Sequence, residues 1–154
     1  MWSESDDSLY ALLWQVIRQH FLRHRFLLSR IGLYKGQPPI LALLWNRDGL
    51  TQKEIAEALG LKPPTVTVIL RRMEKAGLLR RRTDTQDMRV LRVYLTEKGR
   101  ALRKDVEEIN KILEEECFAG FPLEEKALLR KFLIQIRDNL KRVNEDGEPD
   151  ESSK

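Results

Sequence analysis

Apolar residues recur at helical spacing along most of this chain, and the breaks in that spacing mark its elements. From Leu9 to about Ile31 there is neither Pro nor Gly. Two stripes run along this predicted helix: Leu9, Leu13, Val16, His20 and Leu27, and beside them Tyr10, Trp14, Ile17, Phe21 and Leu28. Two apolar stripes on one helix predict burial on more than one side. Gly32 and the stretch Tyr34-Lys35-Gly36-Gln37 end it. Pro38 and Pro39 suit the first turn of a second helix, where a missing N–H costs nothing. That helix is short and apolar through Ile40, Leu41, Leu43, Leu44 and Trp45, and Asp48-Gly49 forms a turn after it.

Thr51 opens a third helix with a capping box: its hydroxyl can accept from the Glu54 N–H while Glu54 reaches back. Ile55, Ala56 and Leu59 face inward, and Gly60 supplies a left-handed stop. Pro63 and Pro64 open the next helix. Val66, Ile69, Leu70 and Met73 share its inner face, while Pro64, Val68, Arg71 and Lys75 point the opposite way. Gly77 ends it. Leu78–Thr83 and Val90–Leu95 read as two strands joined by a polar loop, Asp84 to Arg89. Thr96 caps a helix to about Cys117 whose stripe is Leu102, Val106, Ile109, Leu113 and Cys117. Phe121-Pro122 breaks the chain. A last helix to about Val143 carries Leu129, Phe132, Leu133, Ile136, Leu140 and Val143.

Two short helices across a Gly turn, followed by a basic hairpin, predict a mainly α winged helix-turn-helix, a scaffold that sets one helix in the DNA major groove. Charge agrees: from Lys62 to Lys104 there are 13 Lys/Arg against 4 Asp/Glu, a local net of +9, while the whole chain of 154 residues nets +4. This focus suits a phosphate backbone and makes double-stranded DNA the expected partner. The expected organisation is a single domain over residues 1–144. Its winged segment spans about 37–99, flanked by dimerisation helices at about 5–32 and 97–144, and an acidic disordered tail spans 145–154. The first and the last two helices carry more apolar stripe than a small winged module can cover. A symmetric homodimer would bury the surplus and set two recognition helices about one DNA turn apart. No apolar run approaches a membrane span, the acidic start MWSESDDS is unlike a signal peptide, and a single cysteine cannot form an internal disulfide; a cytoplasmic location is expected.

Lys62, Pro64, Thr65, Thr67, Val68, Arg71 and Arg72 on the recognition helix, and Arg82, Asp87 and Arg89 on the hairpin, are the candidate DNA contacts. Thr67 has a second reading as a partly buried helix residue. Arg80, Arg81 and Arg82 alternate faces and cannot all touch one surface, so at least one is solvated or pairs within the chain. Asp87 and Arg89 are two apart near the hairpin tip. On extended backbone both side chains share a face, where the carboxylate can hold Arg89, or another Arg at the wing base, for insertion into a narrow minor groove. The bland reading is a surface ion pair. Trp14, His20, Phe21, His24 and Trp45 either line a small-molecule pocket or serve as core. His20 and His24, four apart, have the spacing of a metal chelate. Without further His or Cys nearby, no metal site and no cofactor is assigned. No catalytic constellation emerges, so no enzyme is expected.

The segment GLTQKEIAEALGLKPPTVTVILRRMEKAGLLRR, the wing with Asp87-Met88-Arg89, and YLTEKGRAL resemble the MarR (multiple antibiotic resistance regulator) family of transcription factors. Pro63-Pro64-Thr65-Val66-Thr67, the pair Asp87 and Arg89, and Leu95-Thr96-x-x-Gly99 carry the resemblance most specifically. It implies an obligate dimer through the first, fifth and sixth helices. It also implies a regulator, usually a repressor, often released from a palindromic operator by a small aromatic or lipophilic ligand bound between the dimer and DNA-binding parts. A constitutive DNA-binding protein and a metal-responsive sensor using His20 and His24 are the alternatives. The chain departs from the family pattern at Val68, where members commonly carry Arg, and at Lys62, which replaces a small N-cap. Val68 either touches a thymine methyl or packs partly on a neighbour. The peroxide-sensing branch carries its cysteine near the first helix, whereas Cys117 is near the end of the fifth.

Overall fold

A computed structural model describes residues 7–146. Its elements are α1 (Leu9–Ser29), α2 (Gln37–Asn46), β1 (Leu50–Thr51), α3 (Gln52–Leu59), α4 (Pro63–Lys75), β2 (Leu79–Thr83), β3 (Leu91–Leu95), α5 (Glu97–Cys117) and α6 (Leu123–Asp146). The chain divides after Glu114 into two compact units. Residues 1–6 of the acidic start and the tail from residue 147 onward lie outside the described residues, and residues 145–146, expected in that tail, continue α6.

In the first unit, local chemistry sets each boundary. Ser8 caps α1 by accepting from the Ala11 N–H. The α3 capping box forms as expected: Thr51 Oγ1 accepts from the Glu54 N–H at 3.0 Å, and Glu54 accepts from the Thr51 N–H at 2.9 Å. Gly60 stops α3 at φ +61°, a left-handed conformation that costs other residues about 1–2 kcal/mol. Lys62 stands at the N-cap of α4 without a side-chain cap bond, as its substitution for a small polar residue implies. Thr96 Oγ1 accepts from the Gly99 N–H at 3.1 Å and opens α5.

A three-stranded antiparallel sheet has the order β1-β3-β2. Two strands were expected; β1 is the addition. Leu50 and Thr51 pair with Val93 and Arg92 before the capping box turns the chain into α3. A two-residue strand has too few positions for alternation to register. Ile40, Leu41, Leu44, Ile55, Val66, Leu70, Met73, Leu79 and Val93 form the fully buried centre, and Leu27, Leu28, Val106, Ile109 and Leu113 extend it. Cys117, expected at the end of the α5 stripe, is exposed, because the stripe's packing stops at Leu113.

Each stripe on α1 is buried only at its C-terminal end, at Leu27 and at Leu28, while Leu9, Tyr10, Trp14, Val16, Ile17 and Phe21 remain open. In the second unit α6 buries none of its described side chains; Phe132, Leu133, Leu140 and Val143 are all exposed.

Candidate nucleic-acid interface

α4 is amphipathic with its polar side outward. Val66, Leu70 and Met73 are buried, and Lys62, Pro64, Thr65, Val68, Arg71 and Arg72 are exposed. Thr67 is half-buried. Its hydroxyl donates to the Pro63 carbonyl at 3.0 Å and accepts from Gln52 Nε2 at 3.5 Å, so the partly buried reading fits its position. Strand alternation divides the arginine cluster. Arg81, opposite Val93, turns inward and donates to Glu74 at 2.7 Å and to Gln52 at 3.4 Å. Arg80 and Arg82 lie on the open side.

The wing is held by two carboxylates. Asp84 accepts from the backbone N–H groups of Gln86 and Asp87, at 2.7 and 3.2 Å, and from the Arg92 guanidinium. The Arg92 hydrogen bond, with the two backbone donors, pulls the Asp84 carboxyl down to about 2. Arg92 also donates to the Gly49 carbonyl at 2.9 Å, tying the wing base to the β1 turn. Asp87 holds Arg89 by a fork: Oδ1 accepts from Nε at 3.1 Å and Oδ2 from a terminal nitrogen at 3.2 Å. The backbone is not extended here, as the spacing suggested. The Val90 N–H donates to the Asp87 carbonyl at 3.0 Å, closing a turn, and Asp87 Oδ1 also accepts from the Arg89 N–H at 3.1 Å. The pairing therefore comes from turn chemistry rather than strand alternation. Arg89 keeps 90% of its side-chain surface open, and its hydrogen bond lowers the Asp87 carboxyl.

Sequence reasoning missed Asp84, Arg92 and Gln52, the residues that position the others. Their signal lies in register: Asp84 follows Thr83, which pairs with Leu91 beside Arg92. Asp48 was also missed as an anchor. It accepts from the Leu95 N–H at 2.9 Å and from Arg100 at 3.0 Å.

Away from this face, a cavity of about 570 Å³ lies among α1, α2 and α5. Phe21, His24 and Trp45 line it, with Leu28, Leu33, Arg25, Lys35 and Arg103. Trp14 and His20, expected with them, do not. Trp14 lies two turns, roughly 10 Å, along α1 from Phe21, and His20 is rotated by about 100° from it. Trp45 is fixed by donating to the Gly99 carbonyl at 2.9 Å. Burial first, and the neighbouring His20 second, lower the His24 pKa, and its Nε2 is buried with no partner. The His20 and His24 rings are 5.8 Å apart, and among the described residues no cluster of three or more His, Cys, Asp or Glu could hold a metal.

Residues 33–91 match the model of the MarR family. The HTH-type transcriptional regulator TtmR of Methylorubrum extorquens (strain PA1) is 34% identical over 117 residues, 76% of this chain and 59% of that protein. The organic hydroperoxide resistance transcriptional regulator of Bacillus subtilis (strain 168) is 33% identical over 104 residues, covering 68% of this chain and 71% of its own length. The structure is similar to a MepR–DNA complex from S. aureus, with a TM-score of 0.69, 26% identity, and coverage of 87% of this chain and 99% of that one. The helix-turn-helix, its hairpin wing and these likenesses agree, and the chain belongs to the MarR family of DNA-binding transcriptional regulators.

Proposed function

We propose that this chain represses transcription by binding a palindromic operator as a homodimer, with α4 in the major groove and the wing on the adjacent minor groove. The observation that carries the reading is the pairing of a cationic outer face on α4 with an arginine held in a fixed pose at the wing tip. Exposed apolar faces on α1 and on α6 support the dimer, since each would be covered by a second copy. Binding is tested by fluorescence anisotropy on a duplex selected from a random pool. Arg71→Ala with Arg72→Ala is expected to weaken binding at least tenfold and leave the fold intact. Unchanged affinity would remove α4 from the interface.

The cavity favours the ligand-released form over a constitutive one. Its size falls in the ordinary range for small-molecule sites, and its walls join apolar and aromatic surface to cations. A small aromatic or lipophilic effector, salicylate being the simplest probe with a carboxylate, suits that lining. Tyr34, Lys35 and Gly36 border this cavity, and Tyr34 and Lys35 also border a smaller cleft shared with Ile69 and Arg72 of α4. One loop thus touches both the cavity and the recognition helix. An effector acts only through different affinity for the DNA-competent and released forms. Compounds that raise thermal stability are therefore expected to weaken DNA binding. A broad aromatic panel that shifts neither observable leaves the constitutive reading in its place.

A further inference from the structure

α4 changes in bulk along its length. Its first six residues are Pro63, Pro64, Thr65, Val66, Thr67 and Val68, and long cationic side chains begin only at Arg71 and Arg72. At about 100° per residue, Pro64, Val68, Arg71 and Lys75 fall along one line, opposite the buried Val66, Leu70 and Met73. Val68 is at the middle of that outward line with 46% of its surface open. Core packing does not account for a valine there. Helix propensity does not either, because a β-branched side chain is a poorer helix former than alanine.

Recognition helices meet base edges through their N-terminal residues. In α4 that half is slim, so the backbone can come close enough for a short aliphatic side chain to reach a base. Polar readers there are few. The Thr67 hydroxyl is engaged by Pro63 and Gln52, and a threonine hydroxyl such as that of Thr65 bonds to several base edges and discriminates weakly. Arg71 and Arg72, one turn on, have the length to reach phosphates, which position the helix without reading sequence. The only aliphatic group that B-DNA presents in its major groove is the 5-methyl of thymine.

We propose that Val68 is a specificity-determining residue that packs its methyl groups on the 5-methyl of one thymine in each operator half-site. This rests on the reading of α4 as the major-groove helix.

The test uses the full chain and a palindromic duplex enriched from a randomised pool. Each thymine is replaced in turn by deoxyuridine, which removes only the methyl, and binding is read by anisotropy. Uracil at that thymine in one half-site is expected to weaken binding by about fourfold, and in both half-sites by about fifteenfold, the effect of losing one buried methyl group per site. Val68→Ala is expected to bind the thymine duplex with the same loss and to be indifferent to uracil at that position. Val68→Thr, which keeps one methyl, should retain part of the uracil response. An enriched site with no uracil-sensitive thymine, or a uracil penalty undiminished in Val68→Ala, overturns the assignment of Val68 while leaving α4 as the reader. Failure to enrich any sequence, together with indifference to Arg71→Ala and Arg72→Ala, overturns the major-groove reading itself and this inference with it.

Discussion

Asp87 and Arg89 set two simple electrostatic expectations against each other. Coulomb attraction alone says that removing an anion near DNA tightens binding to a polyanion. The fork geometry says otherwise, because Asp87 holds the guanidinium and also accepts from the Arg89 N–H. Arg89→Ala is expected to lower operator affinity about ten- to a hundredfold, the range of one specific contact. Asp87→Ala should lower it too, with fold and oligomeric state unchanged by circular dichroism and sedimentation. Tighter binding by Asp87→Ala would falsify the oriented-arginine reading. Asp84 supplies a pH test one layer further in. Its carboxyl, held at about 2 by Arg92 and two backbone donors, stabilises the wing base fully above its ordinary value of 3.8. That contribution is lost as pH falls through about 2. The carboxyl carbon shift of Asp84 should titrate with that low midpoint, and a midpoint near 3.8 would mean the Asp84–Arg92 pair does not form in solution. The residue types were legible in the sequence because Asp and Arg two apart stand out in a basic hairpin. Their geometry was not, because strand alternation and a closed turn can bring the same two side chains together.

Capping residues and prolines fixed the helix starts closely, because each acts within three or four residues of sequence. What they do not encode is close approach between distant elements. Gly99 shows this: a Cβ there would lie 2.1 Å from the Leu78 carbonyl oxygen, so the start of α5 can pack against the β2 entrance only as glycine. Gly36, at φ +84°, sits against α4, and a Cβ would meet Ile69 Cδ1 at 2.7 Å. Gly36→Ala is therefore expected to have two separable effects. The left-handed backbone should cost about 1–2 kcal/mol of stability, read by chemical denaturation. Displacement of Ile69 should shift α4 and lower operator affinity severalfold. Adding Ile69→Val removes the Cδ1 methyl and should restore affinity without recovering the backbone strain. If the double variant binds no better than Gly36→Ala alone, the loop beside the cavity does not act on α4 through Ile69. The short strand β1 escaped the sequence for a related reason: its pairing with β3 is a contact across more than forty residues, written in neither partner's local pattern.

At the scale of the whole molecule, the exposed apolar faces of α1 and α6 and the focused charge between Lys62 and Lys104 make linked demands. The proposed homodimer covers the first and doubles the second. Leu133 and Leu140 are 44% and 55% exposed in the single chain, so a charge there is tolerable in an isolated subunit but costly once covered. Leu133→Glu and Leu140→Glu should remain helical yet sediment as monomers at micromolar concentration, where the unaltered protein sediments as a dimer. Salt then reports whether the dimer is the DNA-binding unit. Each neutralised phosphate contributes about −0.9 to the slope of log K against log salt, so roughly six to ten contacts per dimer predict an affinity loss of about 10³–10⁵ between 50 and 200 mM. A monomeric variant presents one recognition helix and one wing, and its slope should be about half as steep. Slopes are compared rather than affinities, because a destabilised variant loses affinity at every salt concentration but keeps the slope of the surface it still presents. A monomer with the full slope would show that one subunit makes all the phosphate contacts, and the two apolar faces would then need another partner.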